Sequence, residues 1–277
     1  MKKVVDTSAL RSREVVEYLE SSSSHEIIIP QLVLCECLQG DGVQNARRSL
    51  ENIACFGSQI SVLKADAINF RMNPRKKGLQ SRLIDERLTK GIRGNLSFNL
   101  RQSGFSCHLV NVMIRHDESQ AKAVLSAYAA IAGNIKSGML EERSEITEAE
   151  LRVMRLYRDL PHSLLDRIEG KVMRAIARFL NETELNIKKV SWLDALCSLP
   201  FRFLISMEAL AIDWAMLGGL DNRSDKSVTN DIRDMSHVAY STYYDGILAF
   251  DQRMLRVANL ARILTNAFER RYAGNIC

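Results

Sequence analysis

Short apolar runs alternate with amphipathic stretches at both ends of this chain, whereas its middle carries only helical periods. Lys3-Val4-Val5 reads as a short strand that stops on Asp6. Thr7 and Ser8 are capping residues for a helix predicted to run to about Glu20. After four serines, Ile27-Ile28-Ile29 closed by Pro30 predicts a second, buried strand. Gln31 to Gln39 follows as a helix that is apolar all round except at Glu36, and is therefore expected to be buried. A helix from about Gly42 to Ile53 then precedes Gln59 to Leu63, whose alternation predicts a third strand. Strand and helix alternating through short links predict a parallel sheet with helices on its faces.

From Ser81 to about Leu220 the pattern is helical throughout. Thr147-x-x-Glu150 has the form of a capping box, and Leu165, Ile168, Val172, Ile176 and Phe179 recur on one helical face. Phe201 to Leu217 is the longest apolar run. Arg202, Glu208 and Asp213 interrupt it and it falls short of a membrane span, so it predicts a buried helix ended by Gly218. Thr229 and Asn230 can cap a helix from Asp231 to about Tyr244. Gly246 to Phe250 then reads as a strand stopping at Asp251, and Arg253 to Glu269 as a closing helix. The expected organisation is a discontinuous α/β domain, residues 1–80 and 221–277, carrying an all-helical insertion over 81–220.

Composition narrows the class. The chain has 277 residues, 46% hydrophobic and 26% charged, which excludes disorder and coiled-coil rods. Lys2 and Lys3 have no apolar stretch behind them, so no secretory signal is expected and the location expected is cytoplasmic, with no membrane partner. Six scattered cysteines fit reduced thiols. Lys64 to Arg101 holds ten basic residues against three acids, a local +7 in a chain of net +5, leaving −2 for the rest. Basicity concentrated in this way is the footprint of a phosphate-backbone partner, with Arg75, Lys76, Lys77, Arg82 and Arg87 as candidate contacts. A solvated helix face and loop is the alternative.

Four carboxylates stand at comparable places in the α/β part: Asp6 and Asp251 at strand ends, Glu36 inside an apolar helix, and Asp234 in the first turn of a helix. The carboxyl ends of parallel strands form the crevice where ligands bind. Acids gathered there repel one another, and a divalent cation relieves this; ligation by oxygen alone favours magnesium or manganese. Plainer roles exist as well: Asp6 and Asp251 can cap the helices that follow, and Asp234 can complement a helix dipole. Glu36 has no such role, because a carboxylate amid apolar positions costs roughly several kcal/mol unless something pairs with it.

Val5-Asp6-Thr7-Ser8, Ile28-Ile29-Pro30-Gln31-Leu32-Val33-Leu34-Cys35-Glu36, Ser61-Val62-Leu63, and Asp234-Met235-Ser236-His237-Val238-Ala239-Tyr240 leading to Ile247-Leu248-Ala249-Phe250-Asp251 resemble PIN-domain nucleases. The resemblance covers roughly residues 1–75 and 228–260. It implies a three-layer α/β/α sandwich with a mainly parallel sheet and an acidic pocket that holds Mg2+ or Mn2+. The activity it implies is phosphodiester hydrolysis, most often of RNA, by a metal-dependent endoribonuclease. Asp6, Glu36, Asp234 and Asp251 match the four acids of that pattern and would be both catalytic and metal-binding, with Asp6 central. Thr7, Ser8 and Asn230 would be donors that keep the carboxylates in place. Asp231 shares a helical face with Asp234, so either can be the ligand; the spacing to Asp251 favours Asp234. His237, one turn further on, is expected to be a packing or hydrogen-bonding residue.

The interval from Glu36 to Asp234 is far longer than in compact members of the family, and the excess is the helical block. That block is expected to gate the pocket or to receive a protein partner or inhibitor, and a homo-oligomer is also compatible. Two alternatives share the scaffold: a non-catalytic PIN-like module binding RNA or protein, and a PIN-like nuclease acting on DNA. A third comes from Arg155-x6-His162, which resembles the arginine–histidine motif of metal-independent HEPN ribonucleases, although Pro161 stands between the two.

Overall fold

The computed structural model describes residues 1–37, 42–99, 146–156, 161–182, 187, 189–217 and 224–272. Val4, Val5, Ile27, Ile28 and Ile29 are fully buried, the pattern of parallel strands covered on both faces. They belong to β1 (Lys2–Val5) and β2 (Glu26–Ile29), which join β3 (Ile60–Val62) and β4 (Ile247–Leu248) in a parallel sheet of order β3-β2-β1-β4. In register, Val4 stands beside Ile28 on one side and Ile247 on the other, and Ile28 stands beside Ser61 of β3. The chain enters β4 through Gly246, whose φ of +120° suits glycine and whose carbonyl accepts from Val4 N at 2.9 Å.

The architecture is thus mixed α/β, with a parallel sheet and mostly helical content, and the chain divides into two compact units. Among the described residues the first holds 1–69, 78–99 and 243–255, and the second holds the remainder. The sequence grouped all of 221–277 with the sheet; among the described residues of that stretch, 243–255 fall in the first unit and 224–242 and 256–272 in the second.

In the first unit the sheet is accompanied by α1 (Thr7–Leu10), α2 (Arg13–Glu20), α3 (Gln31–Cys37), α4 (Gly42–Leu50), a 3-10 segment (Glu51–Gln59), α6 (Leu79–Leu83) and α7 (Glu86–Asn99), with α5 (Asp66–Phe70) at its boundary. Leu10, Leu19, Val33, Leu34, Leu50, Ile53 and Ile92 close over Val5, Ile27, Ile29, Ile60 and Val62 as one core. The single helix expected from Thr7 to Glu20 is two helices. Ser12 adopts an extended backbone (φ −96°, ψ 159°) and caps α2 by accepting from Val15 N at 3.4 Å. At the N-terminal end of the sheet, Glu26 takes Lys2 at 2.8 Å and Arg93 at 3.4 Å. Burial opposes the charge on Glu26, but hydrogen bonds from Lys2 and Ser61 and the charges of Lys2 and Arg93 outweigh it and hold the carboxyl below its usual range.

The second unit contains α8 (Glu148–Arg155), α9 (His162–Glu182), α10 (Trp192–Leu196), α11 (Leu199–Leu217), α12 (Asp225–Ser241) and most of α13 (Gln252–Tyr272). Helix α11 is buried on nearly every side, and α8, α9, α10 and α12 pack against it. Its three charges are each paired: Arg202 with Glu269 at 2.7 Å, Glu208 with Lys171 at 2.9 Å, and Asp213 with Arg256 at 2.9 Å. A buried charge persists only when matched in this way. The stripe of α9 is Leu165, Ile168, Val172, Ile176 and, in place of the half-buried Phe179, the fully buried Leu180. Helix α12 starts earlier than Asp231: Ser224 is its cap, accepting from Ser227 N at 3.3 Å, and Thr229 and Asn230 lie inside it. Among the described residues no helix is long and apolar enough to cross a membrane.

The capping box at Thr147 and Glu150 is formed, and Arg167 of α9 grips both oxygens of Glu150, at 3.0 and 3.1 Å. Hydrogen bonds from Arg167 first, opposed by burial and reinforced by Thr147, bring the Glu150 carboxyl down to about 2. A depressed folded-state pKa gives stability that is complete above the ordinary glutamate value and is lost as pH falls toward about 2. Glu150→Gln is therefore expected to lower the urea midpoint at neutral pH. The gap from the native protein should close as pH is lowered through that window, and a gap independent of pH would refute the assignment.

Candidate functional site

In this sheet the connections from β1 run one way, to β2 and β3, while β4 pairs on the other side. Parallel sheets open a crevice at such a reversal, beyond the carboxyl ends of the strands. Asp6 follows β1 directly, and its N–H donates to Leu248 O of β4 at 3.0 Å. Its side chain caps α1: Oδ2 accepts from Ser8 N at 3.2 Å and from Ser8 Oγ at 2.5 Å. Asp251 follows β4 and begins α13 in the same manner, Oδ1 accepting from Arg253 N at 2.7 Å and Met254 N at 3.3 Å. The Arg253 guanidinium lies 3.7 Å from Asp251 Oδ2. Both strand-end acids therefore act as caps, a role that their sequence context makes available locally.

Glu36, on α3, is half-buried, not enclosed in apolar surroundings. Thr7 Oγ1 donates to its Oε2, so the residue next to Asp6 in sequence holds Glu36. Cys37 is buried beside them. Burial chiefly pushes its thiol up to about 11; a hydrogen bond with Ser49 and the Arg11 charge oppose this, and the Glu36 and Asp6 carboxylates add to it. One buried sulfur thus lies within electrostatic reach of both carboxylates and of Arg11.

Arg11 lies outside the set expected from sequence. It closes α1, and its Nε donates to Ser49 Oγ at 2.9 Å, while Ser49 donates to Asn45 O at 2.8 Å. Asn52 Nδ2 in turn donates to the Arg11 carbonyl at 3.1 Å. A four-residue helix has no amphipathic period that would reveal where Arg11 points, and its nearness to Asp6 in the chain was the one available signal.

The remaining expected residues are divided between the two units. Asp231 and Asp234 stand on α12 in the second unit, Asp231 buried and Asp234 half-buried; Asn230 is exposed and His237 buried. Arg75 is engaged within the second unit: Nε and one terminal nitrogen bind the two oxygens of Asp194, each at 2.9 Å, and that nitrogen also donates to Lys189 O at 2.8 Å. Lys76 and Lys77 are exposed in the second unit; Arg82 is half-buried and Arg87 exposed in the first. Arg155 pairs with Glu148 at 2.8 Å and donates to Met216 O at 3.3 Å, while residues 157–160, between Arg155 and His162, lie outside the described residues. Among the described cysteines, Cys35, Cys37, Cys55 and Cys197 form no disulfide; Cys107 and Cys277 lie outside the described residues, as does Gly218.

The donors gathered at the end of the sheet are carboxylate oxygens steadied by hydroxyls, a chemistry suited to hard cations and to phosphate reactions. Among the described residues no three His, Cys, Asp or Glu side chains form a ready metal cage. Comparison with protein-family models, curated proteins and solved structures gives no match for this chain.

Proposed function

We propose that this protein is a metal-dependent nuclease of the PIN-like kind, built as an α/β/α sandwich, that hydrolyses phosphodiester bonds of RNA at the C-terminal edge of its parallel sheet. The observation that carries this reading is the placement of Asp6 and Asp251 after adjacent parallel strands, on the two sides of the strand-order reversal. Glu36 is joined to the same edge through Thr7. Magnesium is commonly held by only one or two carboxylates with waters, so Asp6 and Glu36, with Asp251 nearby, fit as the residues that would hold Mg2+ or Mn2+. When bound, such an ion supplies an activated water and offsets charge on the phosphoryl oxygens.

The protein's own part is orientation. Ser8 fixes Oδ2 of Asp6 and Thr7 fixes Oε2 of Glu36, so neither carboxylate has to be ordered when substrate arrives. Partners that hold a ligating carboxylate in this way typically contribute about 10–100-fold to metal affinity or activity.

A second reading has an observation of its own. Asp6 and Asp251 both cap helices, which would suffice for a non-catalytic scaffold binding RNA or protein. Asparagine separates the two readings, because it caps about as well as aspartate but removes the charge. Asp6→Asn and Asp251→Asn are expected to keep stability within about 0.5 kcal/mol. Each should lose metal-dependent cleavage by more than the roughly 10–100-fold that an outer partner is worth. The measurement is cleavage of labelled RNA and DNA with added Mg2+ or Mn2+, alongside urea unfolding. Native turnover in both strand-end variants would leave the scaffold reading standing.

Because Arg75 is engaged with Asp194, the basic segment is tested at its exposed neighbours. Replacing Lys76 and Lys77 by glutamine is expected to weaken RNA binding evenly across sequences and to flatten the salt slope by up to about two, roughly one per lost phosphate contact. An unchanged slope would make these lysines a solvated loop.

A further inference from the structure

Arg11 has the features of a prepared anion site. Its side chain is exposed, while the hydroxyl that fixes it, that of Ser49, belongs to a fully buried residue. Nε donates to Ser49 at 2.9 Å and the Arg11 carbonyl accepts from Asn52 at 3.1 Å, which ties one edge of the guanidinium and the backbone that carries it. Arginine's terminal nitrogens match the paired oxygens of a phosphate when the plane is held in advance.

Among the described residues the Arg11 guanidinium donates to Ser49 and to no carboxylate, unlike Arg13, which pairs with Glu17 at 2.9 Å. Arg48 adds a second cation: Asn45, Arg48 and Ser49 share one face of α4 by helical spacing, and Arg48 is exposed. A basic last turn on α4 complements its helix dipole, but that does not account for an arginine from α1 being anchored there. Asp6 and Arg11 flank the same short helix, which at about 1.5 Å per residue spans roughly 6 Å, and both act electrostatically on the buried Cys37 thiol.

We propose that Arg11, seated on Ser49 and joined by Arg48, forms a phosphate-binding subsite beside Asp6 and Glu36 that grips a backbone phosphate of a nucleic-acid strand. This rests on the nucleic-acid reading above, but it concerns binding and not cleavage.

The test uses the full chain carrying Asp6→Asn, so that a short labelled single-stranded RNA is bound without turnover, with affinity followed by fluorescence anisotropy over a range of salt. Adding Arg11→Met is expected to weaken binding about tenfold and to reduce the salt slope by about one. Arg11→Lys, which keeps the charge but loses the fork, should retain the slope while losing part of the affinity; it also decides the matter if the methionine variant is destabilised. Arg13→Met, an equally exposed cation on the next helix, should change neither. Unchanged affinity in Arg11→Met, an equal loss in Arg13→Met, or a parent that does not bind RNA overturns the proposal. It also falls if Arg11→Met abolishes binding of inorganic phosphate yet leaves RNA binding intact, since the subsite would then serve the free ion. A native protein that binds RNA through Arg11 but never cleaves it defeats the nuclease reading alone.

Discussion

The two-sided pairing of β1 is the constraint from which the first unit is built. Its neighbour β2 follows it closely in sequence, whereas β4 comes from the far end of the chain. Val4 N to Gly246 O at 2.9 Å, Asp6 N to Leu248 O at 3.0 Å and Lys2 N to Asp245 Oδ2 at 2.6 Å fasten that return. Parallel strands cannot be joined by a tight turn, so the intervening chain has to lie outside this pairing. Once β4 is in place, two helices begin from adjacent strand ends. The first residue in position to cap each of them is an aspartate.

In the proposed reading, each of those aspartates would meet a local and a distant demand. Capping needs an oxygen that accepts from backbone N–H groups near the helix start. Hydrolysis of a phosphodiester needs negative oxygens in a crevice that faces solvent. Both requirements are met at the C-terminal edge of a parallel sheet, where helices begin and the crevice opens. The short helix that starts from Asp6 carries Thr7, which steadies Glu36, and closes at Arg11, which stands on Ser49.

The second unit uses a different device repeatedly. Glu150 and Asp194 are each the carboxylate of a capping box, and each also takes an arginine from elsewhere in that unit, Arg167 in one case and Arg75 in the other. A carboxylate already ordered by backbone N–H groups loses little further freedom when it accepts a guanidinium. Helix α11 follows a related logic, its Arg202, Glu208 and Asp213 each meeting an opposite charge within the unit. Apolar burial with matched charges gives a helix that is neither a membrane span nor an amphipathic surface element.

Much of this was legible in the sequence, because the features concerned are local. The buried strands Val4-Val5 and Ile27–Ile29, the Thr147–Glu150 box, the burial of α11 and the strand-end positions of Asp6 and Asp251 all follow from periodicity, capping chemistry and the length of apolar runs. What tertiary structure decided were the matters on which local signals compete or are silent. Ser12 and Ser224 won the capping roles over the residues expected to hold them, since serine caps wherever the backbone turns extended and composition alone does not choose among candidates. Arg75, which reads as a ligand contact in a basic run, was drawn to Asp194, and Arg11, which reads as nothing, was fixed on Ser49. A side chain's partner is set by which segments fold against it, so the sequence determined the elements and the acids at their ends, while packing decided which charges were paired and which were left facing solvent.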